Sequence, residues 1–477
     1  MPVDRATLEL FVPLDRGAPL RAQIEDAICA AITAGGAPPG TRLPASRVLA
    51  ETLGVSRGVV SEAYAQIAAE GWIEIRHGAA PVVRAVVAGE AGASEAGGAG
   101  ASGAGGAGAV GAGAAARALA PRLDLTATAP DLSAFPRRAW AAAMRRVIAE
   151  VPDAALDYGD PRGDAELRRE LAAYLVRVRG AALGELVITS GYTQGLWLTC
   201  RALALRGATT VAVEDPSLND SWATIRSAGL EVVGVPVDEH GLIPDTLEAD
   251  AVLVTPAHQF PTGAVLAPER RRKLLAWGGI VIEDDYDSEY RYDRAPVGTL
   301  QRLAPDRVVY LGTASKTLAP ALRLGWALAP PELAQAIAEE RWALDSGGPA
   351  LTARAYAQLI ATGELDRHLR RTRREYRERR DALVDALRKR LPTCHIEGVA
   401  AGLHLLLRLP QGTGEAEIVA ALAERRIRVR GVQSYALTRT HPPALVIGYG
   451  RLPRAAIDSA VEALRETLAS LGRKDPR

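Results

Sequence analysis

A long run of small residues divides this chain and limits how it can fold. Residues 88–116 read AGEAGASEAGGAGASGAGGAGAVGAGAAA and are almost purely Ala, Gly and Ser. Such a stretch has little to bury, and its frequent glycines disfavour a continuous helix. We predict a flexible linker that spans roughly 30 Å on average and about 100 Å when stretched. The chain then comprises a small domain over 1–84, a linker over 85–120 and a large domain over 121–477.

Composition places the chain among soluble globular proteins and excludes several other classes. Of its 477 residues 48% are hydrophobic and 24% are charged, and the net charge of +1 neither favours nor excludes an anionic partner. The three cysteines are scattered, which predicts no disulfide framework and no metal site. There is no basic leader followed by an apolar run, and no apolar run of 18 residues, so we expect a cytoplasmic protein without membrane contact.

The small domain has the pattern of three helices followed by a hairpin. Residues 19–35 and 45–54 show helical spacing of apolar residues, and VSRGVVSEAYAQIAAEG predicts a third helix with Ser56 as its N-cap. The short turn around Gly54, between the second and third helices, is typical of a helix-turn-helix. WIEI and PVVRAVV then predict two strands joined by a tight turn, which together form a wing.

A helix-turn-helix of this kind places its second helix, here the third of the domain, in the major groove of DNA. We expect Ser56, Arg57 and Ser61 in that helix to contact base edges and phosphates. The flanking candidates for DNA contact are Arg42, Arg47, His77 and Gly78. Residues 1–84 contain eight Arg, no Lys and nine acidic residues, so attraction to DNA over distance is weak. A small helical packing module without DNA contact is the alternative.

From residue 121 onward, short apolar runs rich in β-branched residues alternate with helical stretches. The seven candidate strands are ELVITS, TVAVED, EVVGVPV, AVLVTP, IVIEDDY, RVVYLGT and LGWALAP. This alternation predicts an α/β fold with a mainly parallel sheet. Because ligands in such folds bind beyond the carboxyl ends of the strands, residues that follow strands are the candidates for chemistry.

Lysine is rare in this chain, and one lysine follows a predicted strand. Of 57 basic residues, only Lys273, Lys316, Lys389 and Lys474 are lysine. Arginine can replace lysine in ion pairs, but it keeps its proton and therefore cannot form a Schiff base. Lys316, in GTASKTLAP after the strand RVVYLGT, is thus the candidate for amine chemistry.

Residues after neighbouring strands complete a site suited to pyridoxal 5'-phosphate (PLP). A carboxylate can keep the pyridine nitrogen protonated, while hydroxyls, backbone amides at a helix start and an arginine can bind the phosphate. The chain offers Asp284 after one strand, Thr313 and Ser315 after another, and Arg323 seven residues beyond Lys316. A solvated acidic turn is the alternative for Asp284. The combination, in this chain order, predicts a PLP site with Lys316 as the amine.

These motifs resemble known families. LPASRVLAETLGVSRGVVSEAYAQIAAEGWI is similar to the winged helix-turn-helix (α+β) of the GntR superfamily of bacterial transcription regulators. Residues 121–465 resemble fold-type I PLP enzymes, the aspartate aminotransferase-like α/β fold with its small C-terminal subdomain. EDDYDSEYRY, HQFPTG and SKTLAPALRLGW are typical of MocR/GabR-type regulators, which carry both parts in one chain. The resemblance implies a homodimer that binds operator DNA and senses PLP, or an amine or amino acid, through a Schiff base.

The resemblance also assigns roles to individual residues. Lys316 would form the Schiff base with PLP, Asp284 would pair with the pyridine nitrogen, and Tyr286 would reach the ring hydroxyl. The phosphate ligands would be the backbone near Tyr192 and Thr193, the hydroxyls of Thr313 and Ser315, and Arg323. Tyr158 would cross to the phosphate of a partner subunit, which implies a dimer. The family residues that match Arg47, Ser56, Arg57, Ser61, His77 and Gly78 approach DNA.

Two positions depart from the aminotransferase pattern beside the cofactor ring. Leu218 stands where an aromatic residue usually covers the ring, and Trp222 is a candidate substitute. Phe260 stands where an asparagine usually bonds the ring hydroxyl. His258 or Tyr286 would then have to make that bond, and a structural role for His258 is the alternative.

A third departure bears on turnover. Val446 stands where an arginine usually binds the substrate carboxylate, and the nearby Arg430 and Arg451 are expected at the surface of so arginine-rich a chain. The departures favour a regulator that holds PLP over an enzyme that turns over a substrate. The alternatives are an active PLP-dependent aminotransferase that carries a DNA-binding domain, and a domain that has lost the cofactor and serves only dimerisation.

Overall fold

The computed structural model describes residues 14, 16, 20–33, 37–69, 72–75, 80–84, 121–292 and 297–471. The predicted linker and the predicted wing residues His77 and Gly78 lie outside this part of the chain. Among the described helices, none combines the length and the apolar character needed to cross a membrane.

The described N-terminal residues form a three-helix module with a two-stranded wing. Its elements are α1 (Leu20–Thr33), α2 (Ser46–Leu53), α3 (Arg57–Ala69), β1 (Ile73–Glu74) and β2 (Val82–Val83). Gly54, which ends α2, has a φ of 61°, a left-handed conformation that glycine adopts without strain. Ser56 Oγ accepts a hydrogen bond from the Val59 amide at 3.4 Å, as expected of an N-cap. The module has its own core, which includes Ile24, Ile28, Leu49, Val60 and Ile67.

The large domain alternates strands and helices. Its strands are β3 (Leu123–Asp124), β4 (Glu185–Thr189), β5 (Thr210–Asp215), β6 (Glu231–Asp238), β7 (Gly241–Leu242), β8 (Ala251–Val254), β9 (Ile280–Asp285), β10 (Val308–Thr313), β11 (Gly325–Ala329), β12 (His395–Glu397), β13 (His404–Arg408), β14 (Ile427–Arg428), β15 (Arg430–Gly431) and β16 (Ala444–Gly448). Its helices are α4 (Arg137–Glu150), α5 (Ala165–Arg179), α6 (Tyr192–Leu205), α7 (Asn219–Ser227), α8 (Pro268–Ala276), α9 (Leu300–Leu303), α10 (Pro331–Asp345), α11 (Ala350–Ala361), α12 (Glu364–Arg390), α13 (Glu415–Glu424) and α14 (Ile457–Leu471).

The central sheet has eight strands in the order β4-β11-β10-β9-β8-β5-β6-β7. The strands from β10 to β6 run parallel, whereas β11 and β7 run antiparallel to their neighbours. All seven strands predicted from the sequence are present, so the mainly parallel α/β fold is confirmed. Successive residues of β4, such as Val187 and Ile188, pack into separate hydrophobic clusters, because the sheet is buried on both faces.

A smaller sheet in the C-terminal part has the order β12-β13-β16-β15. Helices α12 and α13 pack against α14 beside it, and they form the predicted small subdomain. The strand β3 pairs with β14 and so joins the start of the large domain to this subdomain. The subdomain thereby brings residues near positions 124–130 and 430–451 to the edge of the central sheet.

Candidate cofactor site and DNA-binding face

A cavity of about 460 Å³ lies at the carboxyl edge of the central sheet. Its walls include Glu214 from β5, Asp284 from β9 and Thr313 from β10, which are parallel strands that end at this edge. Eight of the ten residues predicted to bind the cofactor line it, namely Tyr192, Thr193, Asp284, Tyr286, Thr313, Ser315, Lys316 and Arg323. The other two, Tyr158 and His258, lie elsewhere.

Lys316 is the amine of the cavity. Its side chain is half-buried, and Nζ donates a hydrogen bond to Thr128 Oγ1 at 3.4 Å. Loss of hydration lowers the pKa of Lys316, although the negative charges of Asp284 and Asp287 act in the opposite direction. A lowered pKa increases the fraction of neutral amine, which is the form that attacks a carbonyl carbon.

Asp284 is one of two buried carboxylates that line the cavity, with 7% of its surface exposed, and Glu214 is the other. Burial raises the pKa of Asp284 well above its usual range, while a hydrogen bond with Tyr192 and the charge of Lys316 act against the shift. Its Oδ1 has no hydrogen-bond partner among the described residues. A buried carboxylate oxygen left unpaired is costly, so this atom is suited to a ligand that brings a protonated nitrogen.

A recess at the start of α6 has the groups that bind a phosphate. A Cβ on Gly325 would lie 2.7 Å from the Gly191 carbonyl carbon, so the two chain segments can approach this closely only because Gly325 lacks a side chain. Thr313 Oγ1 donates a hydrogen bond to Ser315 Oγ at 2.9 Å. The guanidinium of Arg323 lies beside Gly191. A helix N-terminus, two hydroxyls and a guanidinium together suit a phosphate dianion.

Tyr286 and Phe260 line the cavity, whereas His258 lies behind Tyr286. Tyr286 Oη donates a hydrogen bond to the His258 carbonyl oxygen at 3.0 Å and lies 3.1 Å from Nδ1 of the same residue. His258 is 3% exposed, and its Nδ1 is 3.1 Å from Asp287 Oδ2. His258 is not among the residues that line the cavity, so its predicted direct contact with the cofactor stays a prediction. His258 is placed to orient the phenol of Tyr286.

Leu218 lines the cavity at the position where an aromatic residue was expected to cover the ring. Trp222 does not replace it, because this side chain is buried in α7 and its indole N–H donates to Ser217 Oγ at 2.9 Å. An aliphatic wall gives up the aromatic stacking contribution, worth about 0.5–1.5 kcal/mol.

Tyr158 lies outside the cavity on the surface of the large domain. Its side chain is 77% exposed and packs edge-on against Trp342, with ring centroids 6.2 Å apart. The predicted contact of Tyr158 with the cofactor phosphate of a partner subunit stays a prediction, and the exposure of the ring is compatible with it.

Among the lining residues to which the sequence assigned no role in the site, three bear directly on Lys316 or on a bound effector, and the first is Thr128. This β-branched residue has a φ of 57°, a left-handed conformation that costs roughly 1–3 kcal/mol outside glycine. Its hydroxyl is the group bonded to Lys316 Nζ. The sequence carried no signal for this role, because the conformation of TATAP is set by the surrounding fold.

The other two residues are Arg430 and Arg451, which are exposed, as expected from the sequence, and also line the cavity. Arg430 on β15 is the antiparallel partner of Val446 on β16, and directly opposite residues share one face of a sheet. The guanidinium of Arg430 therefore lies on the strand next to Val446, the position where an arginine was expected. Arg451 Nη1 lies 3.3 Å from Asp124 Oδ2. The alternation in IRVRG was the available signal, but only the strand pairing brings Arg430 to the site.

The predicted DNA-binding residues that the structure describes lie on an accessible face of the N-terminal module. Ser56, Arg57 and Ser61 are exposed at the start of α3. Arg42 and Arg47 lie on the flanking surface, and Arg47 Nε is 3.3 Å from Glu51 Oε1 in a surface ion pair. An exposed pair of this kind is weak, so the Arg47 guanidinium is available to a phosphate.

Comparison with known proteins supports both halves of the chain. The family model for bacterial regulatory proteins of the gntR family matches residues 20–83, and the model for aminotransferase class I and II matches residues 123–464. The probable rhizopine catabolism regulatory protein MocR of Rhizobium meliloti is 32% identical over 97% of this chain and 96% of its own length. The chain belongs to the MocR/GabR-type transcription regulators.

Two further comparisons agree with this assignment. The HTH-type pyridoxine biosynthesis transcriptional regulator PdxR of Corynebacterium glutamicum is 33% identical to this regulator over 90% of the present chain and 91% of PdxR. The crystal structure of LysN, the α-aminoadipate aminotransferase of Thermus thermophilus complexed with N-(5'-phosphopyridoxyl)-L-leucine, matches 73% of this chain and 92% of LysN with a TM-score of 0.66 and 26% identity. This regulator therefore joins a gntR-type DNA-binding module to a PLP-binding domain of aminotransferase type.

The residues of the cavity fit PLP group by group. The unpaired Oδ1 of Asp284 suits a protonated pyridine nitrogen, and the recess beside Gly191 with the guanidinium of Arg323 suits the phosphate. When bound, PLP supplies an aldehyde that condenses with amines and a ring that accepts electrons. In that case Lys316 would provide the amine, Asp284 would keep the proton on the ring nitrogen, and Tyr286 would offer a hydroxyl to the cofactor.

Proposed function

We propose that this chain is a dimeric, cytoplasmic regulator whose affinity for operator DNA depends on PLP and on an amine or amino acid that reacts with PLP at Lys316. One observation carries the proposal. Lys316, Asp284 and Arg323 line a single cavity in a chain whose N-terminal module exposes a recognition helix.

The charges around the cavity indicate an effector that carries a carboxylate. Arg430 and Arg451 line the cavity together with Lys316. Arg451 is close enough to Lys316 to contribute, after burial, to the lowered pKa of that amine. An amino acid would place its nitrogen at the PLP aldehyde and its carboxylate near a guanidinium, where charge-assisted hydrogen bonds are strong. This arrangement gives the effector site a partial replacement for the arginine absent at Val446.

Residues beside the cofactor favour a bound effector over turnover. Leu218 provides an aliphatic wall, Phe260 cannot bond the ring hydroxyl, and Val446 leaves the usual carboxylate position apolar. Fast turnover requires that the reacting groups be held in a narrow range of orientations. The looser set of contacts here suits a regulator in which the reacted effector persists and alters the domain.

Absorbance spectroscopy of the purified full-length chain tests the proposal. Addition of PLP is expected to give a visible band from cofactor held at Lys316, and the effective amino acid is expected to shift that band and leave it shifted. Arg430→Ala should raise the amino-acid concentration needed for the shift by about 10- to 100-fold, because one charge-assisted hydrogen bond is lost. Arg425→Ala, a surface substitution in the same subdomain, is the matched control.

Two results would count against the proposal. A protein that develops no visible band with PLP lacks the cofactor site. Continuous conversion of an amino acid and a keto acid would instead support an active aminotransferase that carries a DNA-binding domain.

A further inference from the structure

An ion-pair cluster, buried at Arg302 and Glu25 and exposed at Asp26, connects the DNA-binding module to the large domain. Arg302 on α9 donates from Nη1 to Glu25 Oε2 and from Nε to Asp26 Oδ1, both at 2.8 Å, and these acids belong to α1. The side chains of Arg302 and Glu25 are 6% and 1% exposed. We name this cluster of Arg302, Glu25 and Asp26 the interdomain contact. Glu25 also lies 3.2 Å from Arg21 Nε in its own helix, so Arg302 is the member that the large domain contributes to a small ion-pair network.

The interdomain contact is connected to the cofactor site through β9, the strand that carries Asp284. Asp284 faces the cavity from β9, and its two neighbours Glu283 and Asp285 point to the opposite face, because side chains alternate along a strand. The Glu283 carboxylate accepts hydrogen bonds from the Leu300 and Gln301 amides, both at 3.0 Å. These amides begin α9, the short helix that carries Arg302.

Asp285 provides a second connection, through hydrogen bonds, from β9 to the surroundings of Arg302. Its Oδ2 accepts hydrogen bonds from Arg179 Nε and from Tyr310 Oη, both at 2.6 Å. Arg179 is the last residue of α5, and Gly180 follows it. A Cβ placed on Gly180 would lie 3.7 Å from Arg302 Nη1, so this turn of the chain borders the Arg302 guanidinium. Both neighbours of Asp284 therefore hold segments that border Arg302.

We propose that Arg302 is a coupling residue, which docks α1 on the large domain and changes that docking when the cofactor site is occupied. The route runs from Asp284 through Glu283 and α9 to Arg302. The docked module leaves Ser56, Arg57 and Ser61 exposed, so docking sets the orientation of the recognition helix without covering it. This coupling rests on the proposed function, since it requires a ligand at Asp284.

Hydrogen exchange of α1 in the full-length protein tests the docking. Arg302→Glu places a third acid beside Glu25 and Asp26 and is expected to speed exchange of the α1 amides about tenfold, because the module is released. Arg302→Lys keeps the charge and should retain most of the protection. Arg206→Glu, which breaks a surface ion pair with Glu332, is the control and should leave α1 unchanged. Equal α1 exchange in Arg302→Glu and in the unmodified chain would overturn the docking.

The same measurement with PLP tests the coupling. Added PLP is expected to change α1 exchange in the unmodified chain, and Glu283→Gln should reduce that change at least about threefold while the visible PLP band remains. A normal PLP band with no change in α1 exchange would overturn the coupling and leave the proposed function standing. Absence of the band would contradict the proposed function, and the Arg302→Glu comparison would still decide the docking.

Discussion

At the residue scale, the site depends on an amine that is held out of water. Lys316 occupies a half-buried position with a lowered pKa, in a chain that uses arginine at 53 of its 57 basic positions. Arginine would serve any ion-pairing role here, so the lysine is explained by its capacity to react with an aldehyde.

Substitution of Lys316 is the first prediction at this scale. Lys316→Ala and Lys316→Arg are both expected to abolish the visible band that PLP gives with the unmodified chain, because neither side chain can condense with the aldehyde. The measurement is an absorbance titration with PLP. Lys273→Ala, which removes an exposed lysine paired with Asp245, should keep the band. A full band in Lys316→Ala would refute the assignment.

The second prediction concerns Glu214, which lines the cavity. Burial raises the pKa of this carboxyl to about 7, although hydrogen bonds from Thr255 and Gln259 act to lower it. When the pKa of an acid is higher in the folded than in the unfolded state, its contribution to stability is fully present below the ordinary pKa of 4.5. This contribution is lost as the pH rises through the folded-state pKa of about 7. The free energy of unfolding of the cofactor-free protein should therefore fall over this interval. Glu214→Gln should reduce that fall by up to about 3 kcal/mol.

Denaturant unfolding at pH 5 and pH 8 checks this prediction. Glu231→Gln, on the exposed edge of β6, is the control and should keep the pH dependence of the unmodified chain. The same fall in stability with and without Glu214 would show that this carboxyl does not cause it.

At the element scale, the start of α3 exposes the residues that we expect to contact DNA. Arg57→Ala is expected to weaken binding to DNA from the regulator's own promoter and to reduce the slope of log K against log salt by about 1, because one phosphate contact is lost. Fluorescence anisotropy at several salt concentrations measures both quantities. Arg201→Ala on α6 of the large domain is the control. An unchanged affinity and slope for Arg57→Ala would remove this residue from the DNA face.

The same scale explains what the sequence could and could not predict. The seven strands were predictable because each is a short β-branched run between helical segments, and the residues after β9 and β10 follow from that pattern. Arg430 was not predictable, since its place at the cavity depends on which residue of β16 it pairs with. Arg302 was not predictable either, because its partners lie about 280 positions earlier in another domain.

At the scale of the whole molecule, an exposed apolar patch indicates self-association. Leu156 and Tyr158 are 59% and 77% exposed, and Trp342 beside them is 39% exposed. Exposed apolar side chains grouped in this way mark interaction surfaces. We expect a dimer in sedimentation experiments at micromolar concentration, and Leu156→Asp should lower the dimer fraction. Leu205→Asp, on an exposed site at the end of α6, is the control, and a monomer at all concentrations would contradict the prediction.

The central claim is that PLP held in the large domain changes how the N-terminal module binds DNA. The most direct test is the affinity of the full-length chain for its own promoter DNA, measured by fluorescence anisotropy with and without PLP at fixed salt. We predict at least about a fivefold change in Kd for the unmodified chain and none for Lys316→Ala. An unmodified chain that shows the visible PLP band but binds DNA with the same Kd in both conditions would contradict the account.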